Sequence, residues 1–257
     1  MSATEIRPLT LTTSPVRQLG VLLTADVLVQ IRNARVLVIT LIVPVVLLVG
    51  IGHNQRAQMP TNVRLALALM LGTAMLTVIT YPSTLARDRE LGVLQRLRVA
   101  PVPSWLILVS RLIIQVCAVL ILCLVLMLVG GFALHLNFRP AEYLWTLLTV
   151  LLGSALYLGA GQAVVALVYS PETVRATSAL VGVGLILLGV FGQTPLLGST
   201  FETIARWSPG GAYADLLAAA TAGGAWTGSL AASLAVCIAY TAVFAVIGVR
   251  WFGWTRP

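Results

Sequence analysis

The sequence predicts an all-α integral membrane protein: six transmembrane helices behind an N-terminal interfacial amphipathic helix. Three observations carry this expectation. Hydrophobic residues make up 59% of the 257 and charged residues 9%, against roughly 25% charged in an ordinary soluble domain. Mean hydropathy is +0.98, and so few charges cannot build a polar shell over a soluble core. The apolar residues also fall in runs long enough to cross hydrocarbon, with the arginines gathered between them.

Taken in order, residues 1–18 are mixed polar and do not read as a signal peptide, because no short apolar core follows a basic start. From 19 to 35, Leu23, Val27 and Ile31 recur every four residues, with Asp26, Gln30 and Asn33 largely opposite. That pattern predicts an amphipathic helix in the cytoplasmic interface, since Asp26, Arg32 and Arg35 are unfavourable in hydrocarbon. Residues 1–35 thus form a cytoplasmic N-terminal segment, and 36–249 a six-helix transmembrane domain. The first span, 36–52, would rise about 26 Å, short for a core of ~30 Å, and Pro44 at its middle predicts a kink. The next spans are 65–85, 112–134, 144–169, 176–191 and 230–249. In the fourth, Ala155, Gly159 and Ala163 form a small-residue seam suited to close helix contact.

The connections differ in character. In the 86–104 loop, Leu91, Leu94 and Leu97 form an apolar ridge flanked by Arg87, Asp88, Arg89, Glu90, Arg96 and Arg98, and Pro101 and Pro103 end any helix there. Such a segment can dock in a groove on a cytoplasmic partner and carry force to the membrane. By composition alone it is equally an ordinary basic loop. The external 192–229 segment carries only Glu202, Arg206 and Asp215 as charges. It is expected to dip back into the outer leaflet or to cap the bundle as short helices, broken around 207–213. The tail is 250–257.

Arginine sets the orientation. All sixteen basic residues are Arg. With both termini inside, twelve are cytoplasmic and four external, the bias of the positive-inside rule. That rule also accounts for the net charge of +8 without invoking nucleic acid. The missing Lys excludes a P-loop and Schiff-base chemistry, so ATP would have to be hydrolysed on another chain. Cys117, Cys123 and Cys237 lie in apolar runs and read as packing. His53 and His135 sit at span ends, far apart in sequence, and no catalytic or metal-ligand motif appears. Neutral polar residues, among them Thr73, Thr77, Gln115, Gln162, Thr177 and Ser178, occupy the span interiors, where proton- or sodium-coupled carriers usually keep ionisable groups.

The stretch Arg89-Glu90-Leu91-Gly92-Val93-Leu94-Gln95-Arg96-Leu97, ending at Pro101-Val102-Pro103, resembles the cytoplasmic segment before the third span in ABC-2-type transporter permeases of the bacterial drug- and antibiotic-resistance kind. Arg32 to Arg35 before the Pro44 span, and Ser208-Pro209 with Tyr213 and Asp215 before the last, are similar to that family's opening and outer motifs. Val93, Gln95 and Arg98 depart from its usual residues. The resemblance implies a type V exporter-like half-transporter that pairs with a second permease protomer, identical or paralogous, and with two ABC ATP-binding subunits holding ATP and Mg. Arg89, Glu90, Leu91, Gly92, Leu94, Arg96 and Leu97 would form the main coupling contact, and Pro171 and Glu172 a smaller one. Thr73, Thr77, Thr177 and Ser178 are the expected substrate path for a hydrophobic or amphipathic cargo, exported across a bacterial inner or plasma membrane. The competing readings are a secondary carrier or channel, and an intramembrane enzyme, which would need a buried nucleophile and base that the spans do not offer.

Overall fold

The computed structural model describes residues 15–32, 34–53, 60–92, 104–193, 198–224 and 227–251. Among them every regular element is helical: α1 (Pro15–Arg32), α2 (Ala34–His53), α3 (Thr61–Ala74), a π-helical turn (Met75–Thr80), α4 (Tyr81–Glu90), α5 (Ser104–Leu134), α6 (Pro140–Leu167), α7 (Pro171–Gln193), α8 (Ser199–Arg206), α9 (Pro209–Ala222) and α10 (Gly228–Trp251). Five helical stretches are long and apolar enough to cross a membrane, Thr61–Glu90, Leu106–Leu134, Pro140–Leu167, Pro171–Gln193 and Gly228–Trp251. In α2 the apolar stretch is shorter, Val38–Gly50. Runs of this kind form helices because hydrocarbon offers no partner for backbone N–H and C=O groups, so each segment must satisfy its own.

The stretch from Thr61 to Glu90 is the axis of the bundle. Leu65, Leu69 and Met70 are buried against Leu122, Leu126 and Met127 of α5 and Leu156 and Tyr157 of α6. Its helix changes register at Met75–Thr80, where Thr80 Oγ1 donates to the Met75 carbonyl at 2.8 Å. Pro82 follows and has no N–H, so the ladder loses a donor there and widens into a π turn. Gln115 of α5 donates to the Leu76 carbonyl at 2.8 Å, an oxygen that also accepts the Tyr81 N–H inside that turn. On the opposite side α6 comes very close. A Cβ on Gly161 would lie 2.7 Å from the Thr77 carbonyl oxygen and 2.8 Å from Pro82 Cγ.

The connection before α10 folds as two helices. Ser208 caps the second, accepting from the Gly211 N–H at 3.1 Å, and Pro209 stands in its first turn, the expected chemistry of a helix start. α9 then packs against α3, α6, α7 and α10, burying Tyr213 beside Tyr157 with ring centroids 5.2 Å apart. α1 lies along α5, where Ser110 Oγ donates to Asp26 at 2.8 Å. The outward face of α1 is apolar, with Val21, Leu28 and Ile31 more than half exposed.

Candidate functional site

A second, smaller core sits at the end of the bundle where α4 stops. Tyr81, Leu85 and Ala86 of α4 pack on Leu158, Val164 and Val165 of α6 and on Val174 of α7. This core holds two turns side by side, the one after α4 and the one between α6 and α7.

The first turn is shaped by glycine. The Leu91 N–H returns to the Arg87 carbonyl at 3.0 Å and the Gly92 N–H to the Arg89 carbonyl at 3.3 Å. Gly92 has φ +69°, the left-handed conformation that ends many helices and suits a residue without Cβ. Glu90 and Leu91, just before it, are exposed. Leu94, Arg96 and Leu97, the rest of the expected ridge, lie outside the described residues.

Arg89 does not face outward with its neighbours. It is 5% exposed. Its Nη2 donates to the Val165 carbonyl at 3.1 Å, and its guanidinium lies 6.0 Å from the centre of the Tyr169 ring. Val165 is in the last turn of α6, where carbonyls lack intrahelical donors and a cation is favoured by the helix dipole. One side chain thus fastens the α4 terminus to the α6–α7 turn. The adjacent Asp88 pairs with Arg111 of α5, so the start of that helix is tied to the same place.

The second turn contains Ser170, Pro171 and Glu172. The Val174 N–H bonds the Ser170 carbonyl at 2.8 Å, and buried Val174 anchors the start of α7. Glu172 and Arg175 are exposed. The sequence-predicted main and secondary contacts therefore meet on one surface, at least for Glu90, Leu91, Gly92, Pro171 and Glu172.

The four residues expected along a substrate path are placed differently. Thr73 and Thr77 are buried and donate to carbonyls of their own helix, Leu69 at 2.7 Å and Thr73 at 2.6 Å. Thr73 Oγ1 also lies 3.2 Å from Tyr213 OH. Ser178 is buried and Thr177 half-buried. In the single chain Thr73, Thr77 and Ser178 are enclosed by the packed helices, and Thr177 is only partly covered.

Sequence reasoning missed the inward turn of Arg89, the π turn and the Gln162 Nε2 bond to Tyr81 OH at 2.8 Å. Only Pro82 hinted at the second. The others depend on partners far along the chain. Among the described residues no group of His, Cys, Asp and Glu is placed to hold a metal ion.

Residues 58–250 match the family model described as ABC-2 family transporter protein. No curated protein and no solved structure gives a significant match. The matched region runs from just before α3 into α10 and so contains both turns, the core beneath them and all five long apolar stretches. The chain belongs to the ABC-2 transporter family, as a multi-pass membrane permease.

Proposed function

We propose that this permease is the membrane half of an ATP-driven exporter, worked by separate ATP-binding subunits that dock on the paired turns at 90–92 and 170–172. The observation that carries this reading is the Arg89 fastening. A push on the exposed tip of α4 passes through a buried guanidinium to α6, and through the Asp88–Arg111 pair to α5, so the two turns respond as one body. Surface side chains alone would swing without moving the spans.

In this reading two ATPase subunits, each carrying ATP and Mg, engage a pair of permease protomers, either two copies or this chain and a paralogue. α2 serves as the sixth crossing, α1 lies in the cytoplasmic interface, and the arginine bias places both termini inside a bacterial inner membrane. The cargo is a hydrophobic or amphipathic molecule. A route through Thr73, Thr77, Thr177 and Ser178 requires the axial helix and its π turn to part from their neighbours, because Thr73, Thr77 and Ser178 are enclosed when the helices are packed.

Co-expression with the candidate ATP-binding subunit tests the proposal. Wild-type permease should retain that subunit through purification, and Glu90→Arg or Gly92→Pro should lose it while the permease keeps its elution volume. Retention of the subunit by both variants would overturn the docking assignment. Uphill transport by the permease alone in liposomes, driven by an ion gradient, would overturn the ATP-driven reading itself.

A further inference from the structure

A cavity of about 260 Å³ opens on the surface where α6 begins, α9 ends and α10 begins. It is smaller than the roughly 300–1,000 Å³ of drug-sized sites, so it takes a headgroup and not a whole amphiphile. Two opposite charges and a ring line one wall, Arg139, Glu142 and Trp145. They recur every three residues through the N-cap and first turns of α6, yet the charges do not cancel. Glu142 Oε2 accepts the Arg139 backbone N–H at 3.0 Å, and among the described residues no ion pair joins the two side chains. The Arg139 side chain is exposed at the rim.

The other oxygen, Glu142 Oε1, lies against the turn that ends α9. Gly223 there has φ +61°, and a Cβ on it would lie 2.5 Å from that oxygen, so glycine lets the carboxylate sit close to the backbone. A helix C-terminus carries free carbonyls and a partial negative charge. Together with the carboxylate it favours a cation with N–H donors, whereas Arg139, about one helical turn away, favours an anion. The surface below fixes the rest of the ligand. Leu144, Leu148 and Leu151 of α6 are exposed and run down the helix away from the charges. Trp145, 56% exposed, marks the level at which indoles settle between headgroups and hydrocarbon. We propose that the cavity holds the headgroup of a phospholipid that carries both a phosphate and a primary ammonium. The phosphate meets Arg139, the ammonium lies between Glu142 and the end of α9, and the acyl chains follow the leucine strip. The arginine bias assigns this lipid to the outer leaflet, whereas the site itself depends neither on that orientation nor on the ATP-driven reading.

The full chain in nanodiscs of equal phosphatidylethanolamine and phosphatidylglycerol provides a test without any ATPase. Either lipid is supplied as a trace probe with a diazirine near the head of one chain, and the adducts are mapped after photolysis. Both probes carry the phosphate, and only phosphatidylethanolamine carries the ammonium. Its adducts should exceed those of phosphatidylglycerol about tenfold at 139–149 and 216–230, the scale of one charge-assisted hydrogen bond. The two should match on α7, where exposed Leu180 and Leu187 report ordinary lipid contact. Glu142→Gln keeps a capping oxygen and removes the charge, and should bring the probes level at the site. Arg139→Gln should lower the adducts of both there, and Ala220→Leu, which fills the cavity, should abolish them. A wild-type ratio at the site no different from that on α7 would overturn the proposal. So would displacement of the probe by millimolar phosphoethanolamine as readily as by short-chain phosphatidylethanolamine, which would give the cavity to a soluble zwitterion.

Discussion

Arg89 is a charged side chain used as an internal brace. A guanidinium enclosed at a helix terminus is stable when its donors meet carbonyls that have no other donor, and Val165 supplies one. Arg89→Gln should lower stability by about 1.5–3 kcal/mol, the scale of a charge-assisted hydrogen bond, read as thermal unfolding in detergent. Arg89→Lys should recover part of this, since an ammonium keeps the charge but cannot reach both the carbonyl and the ring with a planar fork. If Arg89→Gln melts like the wild type, the brace is unimportant. Gly92 makes a different demand. At φ +69° a Cβ is strained, and Gly92→Ala should cost about 1–2 kcal/mol at that turn, with Gly92→Asn milder because Asn visits this conformation more readily. The expected readout is weaker retention of the ATPase subunit in the order Gly, Asn, Ala. Equal retention by all three would separate the turn's geometry from docking.

At the scale of elements, the π turn is where the axial helix is least regular, and two neighbouring helices hold it. Gln115 fills one carbonyl from α5, and α6 presses Gly161 against the Thr77 carbonyl from the other side. Gly161→Ala should cost about 1–3 kcal/mol by overpacking, because the atoms it meets include backbone, which cannot rotate away. Gly184 offers the control. A Cβ there meets nothing within 4 Å, and in a helix interior Gly184→Ala should be neutral or stabilising by up to about 1 kcal/mol. The unfolding midpoint should therefore fall in Gly161→Ala and hold or rise in Gly184→Ala. A common shift would mean that the close approach of α6 to the π turn does not constrain the bundle.

Across the whole molecule, the two turns share one end of the bundle, and the break between α9 and α10 belongs to another region of the surface. In a background with Cys117→Ser, impermeant maleimide should reach Glu90→Cys and Glu172→Cys from the cytoplasmic side only, and Thr227→Cys from the outside only. Labelling of Glu90→Cys and Glu172→Cys from opposite sides would contradict the shared surface. The apolar exposure of α1, α2 and α10 has its natural explanation at this scale. Val21, Val46 and Val249 are each exposed by well over half, which suits contact with lipid tails or a second protomer and would be a liability in water.

The helical class was legible in the sequence because it depends on a local property. An apolar run in hydrocarbon must pair its own backbone, and composition alone reports such runs, as the five long stretches show. Family membership was legible for a related reason, since the Arg89-Glu90-Leu91-Gly92 pattern is contiguous. Which arginine near that pattern turns inward was not legible: Arg87 and Arg89 look alike in sequence, and the choice is made by a backbone carbonyl at Val165 on another helix. Likewise Thr73 and Thr77 read as polar residues in a span, and only the packing of α9 on Thr73 and of α6 and α7 on the π turn encloses them. Periodicity records how each segment meets its surroundings on average, whereas a buried bond is settled by which distant group arrives within reach.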